Sequence, residues 1–195
     1  MKKLYLPILS AIGFLSLISV VSYNSIQVRD IEVQRAWSDL ESTLQRRADL
    51  VPNLVETVRA YASHEQETFL QVVKARQVVA DFNVNNNSED SYLKKYQEAQ
   101  DQLSQSLKKM IVVFENYPEL KANQNFRDLQ HQLEGTENRI NIARQGYNQE
   151  IASFNKIIKT FPNNLVNNLF LHYSVKTGFQ SAPYAATAPT VVFNK

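Results

Sequence analysis

His64-Glu65 opens a pattern that could hold zinc. In a helical His-Glu-x-x-His run, two histidines one turn apart bind the metal and the glutamate serves as general base. Position 68 should then be the second histidine, and it is Thr68. His131 and His172 stand at no ligand spacing from His64. A helix-surface or interhelical place suits all three better than a metal site. Glu32, Glu41 and Glu56 raise the question of a carboxylate-bridged metal pair. That chemistry needs Glu-x-x-His pairs on two helices, and the chain has none. The four glycines stand alone at positions 13, 135, 146 and 178, so no Gly-rich phosphate loop is present. Cysteine is absent, which excludes disulfides, thiolate nucleophiles, zinc-thiolate sites and a lipid-modified cysteine. No local motif supports a Ser-His-Asp arrangement. No catalytic residue, metal or cofactor is expected.

Two polar groupings remain. Arg46, Arg47, Asp49, Asn53 and Glu56 cluster around Pro52. Asn141, Asn148 and Asn155 recur every seven residues, with Glu137 and Arg144 on or beside their line. This stripe lies about 100° around the helix from an apolar seam. One reading has these residues hydrogen-bonding between helices and fixing register, as a buried Asn does in a coiled coil. The other has Arg46, Arg47, Asn53, Glu137, Asn141, Arg144, Asn148 and Asn155 forming a face for a partner or a second copy.

The elements that must carry these residues read as helices throughout. Only 4 Gly and 6 Pro punctuate 195 residues, too few for many strands and tight turns. The first helix is expected to run to about Leu50, with Ile26, Val33 and Leu40 on one line and Trp37, Leu44 and Val51 on the next. Pro52 should kink it or open a new helix, because its ring opposes the carbonyl four residues back. A second helix is expected over about Asn53–Phe82, then an Asn-rich loop over 83–90. In that loop Asn86-Asn87-Ser88 has the glycosylation pattern, to which no weight attaches. A third helix over about Ser91–Tyr117 carries Tyr96, Leu103, Met110 and Tyr117. A fourth carries Phe126, Leu133, Ile140, Tyr147, Phe154 and Phe161 at intervals of seven and stops at Pro162. Sustained spacing near 3.5 residues implies long, nearly parallel packing. A short helix over 163–173 and an extended tail should follow.

Leu4–Tyr23 contains no charged residue, and twenty residues of helix rise about 30 Å, the thickness of a bilayer core. A cleaved signal peptide is the competing reading. The apolar run is long for one, and Val20-Val21-Ser22 is a poor small-x-small cleavage match. A retained single-pass anchor is therefore expected. Lys2 and Lys3 before the span tip the topology toward a cytoplasmic N-terminus and an extracytoplasmic body. The net charge of +2 carries no basic face for nucleic acid. The domain plan is an anchor over 1–23, a helical body over 24–162 and a tail over 163–195.

The chain resembles the LemA family of bacterial membrane-anchored proteins. The resemblance is carried by Ala36-Trp37-Ser38-Asp39, by Arg46-Arg47 with Asp49-Leu50-Val51-Pro52-Asn53-Leu54-Val55-Glu56, and by Tyr61 with His64-Glu65. It continues through Ala75-Arg76, Tyr117-Pro118-Glu119-Leu120-Lys121-Ala122-Asn123, Thr136-Glu137-Asn138-Arg139-Ile140, Ala143-Arg144, Tyr147-Asn148, Phe161-Pro162 and the ending Pro189-x-Val191-x-Phe193. It implies an all-α fold: an N-terminal transmembrane helix, then an antiparallel four-helix bundle with long helices. It implies no activity. Members have been linked to membrane stress, to neighbouring membrane proteases and, in one branch, to magnetosome formation. The family's usual acidic residue after the tail aromatic is missing, since Ala185 follows Tyr184. The expectation is a non-enzymatic scaffold in the bacterial inner membrane, held in the lipid bilayer through Leu4–Tyr23 and forming homo-oligomers. The alternative is an accessory subunit of a membrane protease, transport or stress-response complex.

Overall fold

The computed structural model describes residues 2–62, 65–82 and 89–180, and every regular element among them is helical. In chain order these are α1 (Lys2–Arg59), α2 (Gln66–Ala80), α3 (Glu89–Phe114), α4 (Pro118–Ala122), α5 (Gln124–Lys159), α6 (Asn163–Val166) and a π-helical turn (Asn167–Leu171). His64, the Asn86-Asn87-Ser88 pattern, Pro183, Tyr184-Ala185 and the Pro189–Phe193 ending lie outside the described residues.

The largest departure from expectation is at Pro52. No new helix begins there: α1 continues through it to Arg59, and the second helix starts only at Gln66. A proline inside a helix leaves the carbonyl four residues back without its amide donor. That carbonyl belongs to Ala48, and Arg76 of α2 donates its Nε–H to it at 3.0 Å. The helix ends instead at Arg59, where the Tyr61 and Ala62 amides both return to the Val58 carbonyl. Neither Gly nor Pro occurs in the sequence between α1 and α2.

Pro118, expected to stop the third helix, opens α4 at its first turn, where the missing N–H is harmless. Asn123 then caps α5: its Oδ1 accepts the Phe126 amide at 3.1 Å. The seven-residue seam of α5 is buried at Phe126, Leu133, Ile140, Tyr147 and Phe154. Each such side chain contributes roughly 1.5–3 kcal/mol by leaving water. The seam stops there. Phe161 lies beyond the helix end and is 78% exposed, because a helix ending at Lys159 no longer holds the period that would turn it inward.

Two compact units are distinguished, residues 1–45 with 136–178 and residues 46–135 with 179–195. In the first, α1 and α5 run antiparallel. Trp37 meets Tyr147 with ring centroids 5.4 Å apart, and Arg29 stands 3.7 Å from Glu150. Ile26, Val33, Leu40, Ile140, Ile151 and Phe154 fill the core of this unit. In the second, α2 and α3 form an antiparallel pair. Phe69 stacks on Phe114 at 5.7 Å, Lys109 donates to Gln71 at 3.2 Å, and Phe82 meets Tyr96 at 5.5 Å. Leu54, Val58, Val72, Leu103, Met110 and Leu120 are buried there.

Candidate functional site

Arg47 is 1% exposed. Its Nη1 donates to Ser104 Oγ at 2.6 Å, and its Nη2 donates to the Gln100 carbonyl at 3.1 Å and to Gln100 Oε1. A guanidinium withdrawn from water must meet acceptors or lose several kcal/mol. A planar fork of five donors suits three acceptors on one stretch of α3. Arg47 therefore ties α1 to α3, while Arg76 ties α2 to α1 at Ala48. Its neighbour Arg46 is exposed, as is Asn53. Asp49 and Glu56 are exposed too, so of the five residues grouped around Pro52 one is a core fastener and four face water.

The α5 stripe lies within the other unit. At 100° per residue, Glu137, Asn141, Arg144, Asn148 and Asn155 share a sector of about 60°. Asn141 is exposed, and the other four are half-buried. Asn155 is committed to the chain's own tail. Its Nδ2 donates to the Lys176 carbonyl at 2.8 Å, and its Oδ1 accepts the Lys176 amide at 2.9 Å. Asn148 stands against the tail at Gly178, where a Cβ would lie 2.5 Å from Asn148 Oδ1. Only glycine lets the backbone pass that close without displacing the amide.

The same device recurs with residues that spacing did not single out. Asn167 Nδ2 donates to the Tyr173 carbonyl, and its Oδ1 accepts the Tyr173 amide, both at 3.0 Å. In the second unit, Gln97 Nε2 donates to the Gln180 carbonyl and its Oε1 accepts the Gln180 amide at 3.2 Å. Extended backbone with no strand beside it still needs its N–H and C=O groups paired. A carboxamide offers one donor and one acceptor, and so stands in for a neighbouring strand.

Side chains add to the clasp in the first unit. Lys176 Nζ lies 3.1 Å from Asp30 Oδ1 and 5.2 Å from the centre of the Phe154 ring. Asp30 Oδ2 also accepts Gln34 Nε2 at 2.7 Å. Tyr173 packs edge-on against Phe154 at 5.5 Å and donates its hydroxyl to Gln27 Oε1 at 3.3 Å. Asp30 is 6% exposed, a depth at which a carboxylate requires its partners. A lone Asp on a helix gives no sign of this in sequence, because the partner lies more than 140 residues further on.

Among the described residues, the shifts of Arg35 and Tyr117 stand out. Arg35 is raised, chiefly by its hydrogen bond to Glu32 and then by that residue's charge. Tyr117 is raised, first by donating its hydroxyl to Glu65 Oε1 at 3.0 Å, then by desolvation. Among the described residues no three of His, Asp and Glu gather at a spacing that would hold a metal.

Comparison with known proteins accounts for the same stretch. Residues 36–193 match the model of the LemA family. The chain is 24% identical over 164 residues to Protein LemA of Metamycoplasma hominis, an alignment covering 84% of this chain and 72% of that protein.

Proposed function

The chain belongs to the LemA family, and from that premise we propose that it is a membrane-tethered helical scaffold that acts by binding other proteins and copies of itself, without catalysis. The observation that carries this reading is the first part of α1. It contains a window of mean hydropathy 1.6 of which only 6% is buried. Leu9, Ile12, Phe14, Leu15 and Leu17 all stay more than half exposed. A helix that is apolar all round and has no protein around it is suited to lipid.

Further support comes from how the motif residues are used. Arg47, Arg76 and Asn155 are committed to fastening the chain to itself, which is the work of a rigid carrier. The second unit also keeps apolar side chains in water. Leu70, Val73 and Val78 of α2 and Val112 of α3 are exposed. The register that pairs Gln71 with Lys109 brings Leu70 and Val112 to one level. A protein partner seated here would cover these side chains. Tethering confines them to a layer beside the membrane, where weak contacts count for more. In this reading the chain crosses the bacterial inner membrane once, with its body on the extracytoplasmic side.

The test is fractionation of the full chain followed by mass measurement after mild detergent extraction. The expected result is alkali-resistant membrane retention and a complex containing more than one copy. Intact chain in the aqueous fraction without detergent overturns the tether. A stoichiometric complex with one membrane enzyme moves the reading to an accessory subunit. Cysteine-labelling settles the side, since no native thiol interferes.

A further inference from the structure

We propose that the turn after α5, residues 161–170, is a second membrane contact that dips into the bilayer beside the anchor. This inference rests on the anchor reading above and adds a site to it.

The register within the first unit places the turn. Trp37 meets Tyr147, Arg29 meets Glu150, and Gln27 meets Tyr173. The carboxyl end of α5 therefore points down α1 toward the apolar span. From Glu150 to Lys159, where α5 ends, the helix advances about 14 Å. The same distance down α1 from Arg29 reaches about Val20, and the Trp37–Tyr147 pairing puts the end of α5 level with about Ser25, so the turn begins at the edge of the uncharged run Leu4–Tyr23. Burial on α1 agrees. Ser22 is 3% exposed, while Val20 and Val21 beside it are each 58% exposed. One side of the span is thus covered at the level the end of α5 reaches.

The turn that arrives there is built for lipid. Phe161, Leu165, Leu169 and Phe170 are between 51% and 78% exposed. From Thr160 to Val175 there is no Asp, Glu, Lys or Arg. Lys156 and Lys159 stand in the last turn of α5 just before it, at the height where lipid headgroups would be met and a long ammonium side chain can reach them. Polar backbone entering a bilayer must be paired internally, and here much of it is. The Asn164 amide returns to Thr160, Leu165 to Pro162 and His172 to Asn167, and the Asn167 side chain holds both backbone polar groups of Tyr173. Continuity with the anchor decides the occupant: these side chains project where the neighbouring helix is already in hydrocarbon.

The experiment places a single nitroxide on the full chain in phosphatidylglycerol-phosphatidylcholine vesicles. Leu165→Cys, Leu169→Cys and Phe170→Cys are labelled one at a time, so a misfolded variant at one position leaves two others. Leu15→Cys reports the anchor. Ile142→Cys, exposed on α5 and about 12 Å past Glu150 on the side away from the turn, reports water. Collision with oxygen is compared with collision with a water-soluble nickel chelate. The expected result is a shift at the three turn positions toward oxygen, of the same sign as at Leu15 and opposite to Ile142. Nickel-accessible turn labels with an oxygen-favouring Leu15 overturn this inference and leave the anchor standing. A nickel-accessible Leu15 overturns the anchor reading and this inference with it. Turn labels shielded from both reagents mean a protein covers the patch, which also overturns it.

Discussion

Arg76 donates its Nε–H to the carbonyl oxygen of Ala48 at 3.0 Å, the very acceptor that Pro52, four residues on, leaves without an amide. One side chain from α2 thus lets α1 run on past a proline. Removing the arginine should orphan the carbonyl and destabilise the protein by about 1–3 kcal/mol. Restoring the amide should remove the need for the arginine. Chemical unfolding followed by circular dichroism should therefore show a smaller loss for Arg76→Ala in a Pro52→Ala background than alone. Strictly additive effects would falsify the pairing.

Arg46 and Arg47 are adjacent in sequence and opposite in role. Arg47→Met leaves the acceptors of Gln100 and Ser104 without their donor, and should cost about 1–3 kcal/mol. Arg46→Ala changes an exposed side chain and should stay within about 0.5 kcal/mol. Comparable losses from both, in the same unfolding measurement, would contradict the burial of Arg47.

The tail clasp should be readable by protease. Asn155→Ala removes two hydrogen bonds from the Lys176 backbone, and Asp30→Asn removes the charge facing its side chain. Each should loosen the segment by about 1–3 kcal/mol and speed tryptic cleavage after Lys176. An unchanged cleavage rate in both variants would mean the segment is held by other means.

Phe126 sits 3% exposed at the start of α5. Its truncation to alanine should cost about 3–5 kcal/mol through lost burial and the cavity left behind. A melting temperature equal to that of the parent chain would show that the site collapses fully.

The Tyr117 hydroxyl is held by Glu65, which raises it above its ordinary value near 10. A phenol whose folded value exceeds its unfolded one contributes stability below the unfolded value, and loses that contribution as pH rises through the folded one. Stability should fall above about pH 10, and less steeply in Tyr117→Phe. Parallel pH profiles for the two chains would count against the bond.

Much of the helical order was legible because periodicity is a local property. Ile26, Val33 and Leu40, and Phe126 through Phe154, recur at intervals that only a helix can turn to one side, and all are buried. The third helix does end before Pro118, which also opens α4, while Pro52 opens no new helix. A proline's effect depends on what replaces the lost amide, and for Pro52 the replacement comes from Arg76, whose partner Ala48 lies 28 residues before it in the chain. No Gly or Pro in the sequence marks the passage from α1 to α2. Phe161 matched the seam by spacing yet faces outward, because spacing has meaning only while the helix lasts.

The residues alone therefore determined the class of fold, the family and the uncharged run at the amino end, since each depends on composition or on neighbours within a turn or two. Only the tertiary structure decided that Arg47 is buried while Arg46 is not, that Asn155, Asn167 and Gln97 grip the tail, and that Asp30 meets Lys176. Those outcomes depend on which distant donors and acceptors are brought within hydrogen-bonding range once water is removed. Spacing along a single helix carries no record of that.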